Sequence, residues 1–169
     1  DYIADYGYKT NENSISLGTT FQQYENFFFS PSFLTSFETL DTTSKATANL
    51  RKQEGSYFDT YFNYTLNYDL RNQRYQTTEG TQTIFRQELP VVAENSEIIN
   101  SFEITRYQPL VSDMIGKISF FSQAANSLTD DDVRISKRLY VPYSKLRGFE
   151  KGKVGPKDGT SYIGGNYVS

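Results

Sequence analysis

The chain has 169 residues, 37% of them hydrophobic, and a net charge of −3, which fits one domain and is too small a charge to indicate a polyanionic partner. It contains no Cys and no His, so zinc sites, cysteine nucleophiles and Ser-His-Asp triads are excluded, and no metal or cofactor is expected. Mean hydropathy is −0.60 and no apolar run approaches the roughly 18 residues of a spanning helix, so no transmembrane helix is predicted.

Aromatic residues are abundant, with 14 Tyr and 13 Phe beside one Met and no Trp. A polar chain rich in Tyr suits a transmembrane β-barrel, whose strands alternate lipid-facing and lumen-facing residues. It also suits a soluble, secreted sandwich that binds carbohydrate through exposed Tyr.

Period-two alternation separates these readings along the chain. Residues 14–21 place Ile15, Leu17 and Phe21 on one face and Ser14, Ser16, Gly18 and Thr20 on the other. Residues 27–37 set Phe27, Phe29, Phe33 and Phe37 against Ser30, Ser32 and Ser36. Pro31 removes a ladder donor there and predicts a bulge or weakened pairing. In the gap that follows, residues 43–53 have a Ser/Thr start, Ala, Leu, Lys and Arg, and a closing Gly55, which predicts a short helix in a surface loop.

Residues 57–70 give the clearest strand. One register reads Phe58, Thr60, Phe62, Tyr64, Leu66, Tyr68, Leu70, and all the charge lies in the other, at Asp59 and Asp69. An Arg or Lys facing lipid at mid-bilayer costs about 2–4 kcal/mol and Asp or Glu less, so this segregation is informative. Its length also exceeds the usual five or six residues of soluble strands. Residues 81–91 put Phe85 and Leu89 opposite Arg86 and Glu88, and residues 115–125 put Gly116, Ile118, Phe120 and Ala124 opposite Lys117. Residues 98–110 carry Glu103 and Arg106 in opposite registers, so one charge faces outward, and Arg106 near the strand end could snorkel.

Six strands and the start of a seventh follow. Short gaps (22–26, 71–80, 111–114) alternate with gaps 38–56, 92–97 and 126–162, of which two are long, as short periplasmic turns alternate with external loops in outer-membrane barrels. The predicted fold class is all-β: an antiparallel up-and-down transmembrane β-barrel, partial, with a short helix in one external loop. Residues 1–169 form one partial barrel domain, with strands within 14–125, a long lumen-inserted loop at 126–162 and the next strand starting at 163–169. Both ends read as cut, marking an internal fragment.

Two stretches carry a resemblance. Within 142–166, Leu146-Arg147-Gly148-Phe149 is followed by Gly155-Pro156 and then Gly164-Gly165-Asn166. Within 69–80, Asp69, Tyr75, Thr78 and Gly80 form a strand–turn–strand pattern, with Thr77 where Pro is usual and Asn72 where a second acid is common. Together these resemble the BamA family, the outer-membrane β-barrel assembly factors of the bacterial surface antigen superfamily, over nearly the whole chain.

The resemblance implies insertion and folding of barrel proteins in the bacterial outer membrane, with outer-membrane lipids, unfolded β-barrel clients and accessory lipoproteins as partners. It implies that Arg147 is an inserted cation contacting acids on later strands, beyond Ser169, that Gly148 permits close approach and that Phe149 packs beside it. Gly155-Pro156 would turn the chain back and Gly164-Gly165-Asn166 would start the next strand. A relative of the TamA type, or a two-partner secretion transporter, shares these features.

Other readings compete at single sites. Between Arg134 and Lys157 the chain has eight Lys or Arg against one acid, Glu150, a pattern also seen in nucleic-acid-binding patches. Asp130-Asp131-Asp132 offsets that field, so no nucleic-acid partner is expected, and it lacks the spacing of a calcium loop. Asp59, Asp69, Glu88 and Glu103 could be paired as glycosidase carboxylates, but a polar lumen accounts for them. The expectation is a protein that is not an enzyme.

Overall fold

A sequence that alternates apolar and polar residues over more than ten positions can satisfy its backbone only in a broad sheet, one face of which is apolar. The computed structural model describes residues 2–3, 7–111, 113–150, 152–159 and 161–169. In chain order they form β1 (Tyr2–Ile3), β2 (Tyr8–Gly18), β3 (Phe21–Tyr24), β4 (Phe27–Thr42), α1 (Ala48–Arg51), β5 (Gly55–Asp69), β6 (Gly80–Val92), β7 (Glu97–Val111), β8 (Met114–Ser127), a 3-10 turn (Ile135–Lys137), β9 (Lys157–Asp158), β10 (Ser161–Tyr162) and β11 (Tyr167–Val168).

Described residues of one antiparallel sheet run in the order β1-β2-β4-β5-β6-β7-β8-β11, with β3 continuing β2 along β4, while β9 and β10 pair in a separate hairpin. The sheet is open, an up-and-down wall matching part of a barrel. The long strands extend past the predicted limits: β2 starts at Tyr8 and β4 runs 16 residues to Thr42. The helix contracts from the expected 43–53 to four residues, because Thr43 is drawn into a bond from its N–H to the Gly7 carbonyl (2.8 Å). Thr47 caps what remains, its hydroxyl accepting from the Leu50 N–H (3.4 Å).

Pro31 does not bulge β4 against β5, where it pairs in register with Tyr64. The interruption falls on the opposite side: β2 ends at Gly18 opposite Ser32, and β3 resumes at Phe21 opposite Phe29. Residues 22–24, predicted as a turn, therefore lie in a strand.

Registers divide the sheet into two faces. The outer face carries Ile15, Leu17, Phe29, Phe33, Phe62, Tyr64, Leu66, Phe85, Phe102, Ile118 and Phe120, with rings meeting at a tilt across strands as in Phe33–Phe62 (5.1 Å) and Tyr64–Phe85 (6.1 Å). Such pairs add about 0.5–1.5 kcal/mol each. A polar row crosses this face without leaving its groups unmatched: the Tyr64 hydroxyl donates to Gln87 Oε1 (2.8 Å), and Gln87 Nε2 donates to Asn100 Oδ1 (2.5 Å). Arg106 is the outward charge of β7, exposed between Thr81 and Ile118, whereas Glu103 points to the inner face.

The inner face carries Glu38, Asp59, Tyr61, Glu88, Glu97, Ser101, Glu103 and Thr105, and the long loop after β8 lies on it. Burial concentrates there in two apolar clusters. One contains Tyr8, Leu40, Leu50, Tyr57 and Ile135, and the other Ile99, Ala125, Val133, Leu139 and Val168. Each joins wall residues to the loop.

Candidate functional site

Val133 enters one of these clusters and Ile135 the other, so the residue between them is carried down to the wall. That residue is Arg134, whose side chain is 0% exposed. Its guanidinium forms an ion pair and hydrogen bond with Asp59 through Nη2, and its Nε lies 3.7 Å from Glu38 Oε2. The ring of Tyr57 lies beneath it, 4.3 Å from the guanidinium carbon to the centroid. The Arg134 N–H donates to Glu97 Oε1 (3.3 Å), and Glu97 Oε2 accepts from the Tyr61 hydroxyl (3.2 Å). Burial by itself would lower the pKa of Arg134, but the bond to Asp59 and the charges of Asp59, Glu38 and Glu97 outweigh it and raise the value.

Three carboxylates around one cation make an acidic pocket that needs the Arg. Among the described residues Asp59 Oδ1 and Arg134 Nε and Nη1 have no hydrogen-bond partner, so the charge pairing itself must offset their desolvation.

The loop reinforces this contact on both sides. Ser136 donates its hydroxyl to Glu38 Oε2 (2.9 Å), and the Ile135 N–H donates to Gln53 Oε1 (2.8 Å), tying the strap to the loop that carries α1. Lys137 lies over the Tyr61 ring (5.0 Å). Arg138 pairs with Asp132 and donates Nε–H to the Val133 carbonyl (3.2 Å). Further along, Lys145 pairs with Glu103 and lies over Phe121 (5.2 Å). Two cations of the basic run, Arg134 and Lys145, thus pair with carboxylates of the wall, while Arg138 pairs within the loop. Asp59 and Glu103 serve loop cations, and Asp69 serves Arg71.

Gly164, Gly165 and Asn166 close the base of the loop. Gly165 and Leu139 exchange two backbone bonds of 2.8 Å, and the Ala125 N–H donates to the Asn166 carbonyl (2.8 Å). Asn166 Nδ2 also donates to Asp132 Oδ1 (3.4 Å). Gly164 has φ +69, and a Cβ there would sit 2.9 Å from the Leu139 carbonyl and 3.0 Å from the Tyr140 ring. Only glycine fits that approach.

The Leu146-Arg147-Gly148-Phe149 tip sits differently. Leu146 is half-buried and Arg147 is exposed. Phe149 is 55% exposed and shares a small hollow with Leu146, Val141, Tyr143 and Val154. Gly148 turns at φ +87 with open space around its Cβ position, and Gly155, at φ +130, precedes Pro156. The Pro156 carbonyl accepts from the Ile163 N–H (3.1 Å). Lys151 of the basic run lies outside the described residues.

The turn after β5 shows how the departures at Asn72 and Thr77 are accommodated. Asp69 holds Arg71 through two bonds of 2.8 Å, which raise the Arg71 pKa. Asn72 Oδ1 accepts from the Thr78 and Glu79 N–H groups (3.3 Å each), the acceptor role a second acid would fill. Thr77 donates its hydroxyl to the Gln73 carbonyl (2.7 Å), tying down a position Pro would otherwise stiffen. Gly80, at φ +111, leaves 2.2 Å between a Cβ and the Leu70 carbonyl, so the turn requires glycine. Tyr75 projects into solvent.

An open antiparallel wall, aromatic outside and acidic inside, strapped by one long basic loop, is what a family comparison must explain. A family model described as the Omp85 superfamily domain matches residues 2–169. The chain belongs to the Omp85 superfamily. No curated protein matches it. Omp85 members are outer-membrane or related-membrane proteins, and the segregated faces of this sheet fit a membrane barrel wall. Sequence reasoning singled out Arg147, which is exposed, and passed over Arg134, which is enclosed. The available signal was a charge set between two β-branched apolar residues, Val133 and Ile135, in an otherwise polar stretch.

Proposed function

We propose that this Omp85 chain is wall and lumen loop of an assembly factor of the BamA kind, which folds and inserts β-barrel proteins into the bacterial outer membrane. The observation that carries this reading is the loop after β8, bound to the inner wall and bearing Leu146-Arg147-Gly148-Phe149 on a base closed by Gly164-Gly165-Asn166. In this reading loops 43–54, 93–96 and 128–166 are external, lipids contact the outer face, unfolded barrel proteins are the clients, and accessory lipoproteins complete the machine. The chain provides wall and loop and no catalytic chemistry.

Arg147 would act by charge on the strands that follow, and Lys145–Glu103 brings the tip to the wall two residues before it. Replacing the native gene with an Arg147→Ala allele tests the proposal. Loss of many folded outer-membrane barrels supports it, whereas loss of one secreted protein alone favours the two-partner translocator. Unchanged barrel levels would reject a role for the tip.

A further inference from the structure

Loop cations pair with wall carboxylates at two separate places, and only one of these pairs is buried. At the first, Arg134 is wholly enclosed by Glu38, Asp59, Glu97 and Tyr57, and Ser136 and Ile135 add bonds to Glu38 and Gln53. At the second, Lys145 reaches Glu103 through a pair whose side chains are 31% and 23% exposed. Between them, Leu139 and Gly165 clamp the two limbs of the loop together.

We propose that Arg134 is a positioning residue that fixes the 132–139 arm to the inner wall independently of the Arg-Gly-Phe tip. Three features carry this. The carboxylates that hold Arg134 come from three different strands, β4, β5 and β7, so the contact spans the wall and does not depend on one hairpin. Two apolar clusters bracket the arm at Val133 and Ile135, while the tip gathers Leu146 and Phe149 in a small hollow and holds the wall through the partly exposed Lys145–Glu103 pair. The clamp at Leu139 and Gly165 separates the arm from the tip at 142–150 mechanically. Motion of the tip then leaves the arm seated.

This inference rests on the barrel reading above and not on client assembly, so it is tested on the purified, lipid-embedded full-length protein, apart from any assembly assay. Hydrogen exchange is followed at the amides of 133–139 and compared with those of 143–150 and of β4, β5 and β7. Arg134→Met and, from the wall side, Asp59→Asn should each speed exchange in the arm by about tenfold or more and leave strand amides protected. Arg147→Ala should leave the arm as slow as in the unaltered protein. If Arg134→Met does not fold, Arg134→Lys keeps the charge without the fork and should give an intermediate rate. Arm exchange unchanged in the folded variants would overturn the proposal. Equal loosening of the arm by Arg147→Ala would overturn it too, because the tip would then be the anchor.

Discussion

Residues 132–139 and 142–149 belong to one loop, both carry Lys and Arg, and both reach acidic residues on the same wall, yet only the first segment is buried. The difference lies in what flanks each cation. Arg134 sits between Val133 and Ile135, which bury themselves and take the charge with them, whereas Lys145 follows Tyr143 and Ser144, both exposed. Apolar neighbours decide whether an ion pair is enclosed, and enclosure decides how much its loss costs.

The sharpest way to break this comparison is Arg134→Met. Removing one partner of a buried ion cluster costs about 3–5 kcal/mol, because the remaining carboxylates stay desolvated without their counter-charge. The denaturant midpoint of the folded band on a gel, for protein in lipid vesicles, should fall accordingly. A midpoint shift no larger than that of Lys145→Gln would remove the distinction between arm and tip.

The glycines supply the next test. Gly164→Ala forces a Cβ to within 2.9 Å of the Leu139 carbonyl at φ +69 and should cost about 1–3 kcal/mol by opening the clamp. Gly148→Ala meets open space and carries backbone strain alone, about 1 kcal/mol. Midpoints measured side by side should keep that order, and only Gly164→Ala should loosen the arm in hydrogen exchange.

The smallest effect belongs to Lys145→Gln. Its partly exposed pair with Glu103 should contribute about 0.2–1 kcal/mol and fade as salt is raised. A loss that persists undiminished in about 1 M salt would show the tip pair to be as enclosed as the arm.

Strand faces were legible because period-two alternation is local. In β5 every outward residue from Phe58 to Tyr68 follows from counting, and so does the inward placement of Asp59. The sides of Arg106 and Glu103 also followed from counting, Arg106 outward near the strand end and Glu103 toward the lumen, but the pairing of Glu103 with Lys145 of the loop did not. The turn at 70–79 was read as a motif, but Asn72 replacing an acid as acceptor became clear only from its bonds to the Thr78 and Glu79 N–H groups. The first strand was misplaced at its start because residues 9–13 are polar on both faces, so alternation gives no signal there.

By itself the sequence determined the antiparallel wall, its two faces and the family pattern of the loop, because side-chain alternation and turn glycines act over a few residues. Tertiary structure alone decided which basic residue is enclosed. Arg134 meets Asp59 across 75 positions of chain, and a contact between such distant residues exists only once the sheet has brought β4, β5 and β7 side by side beneath the loop.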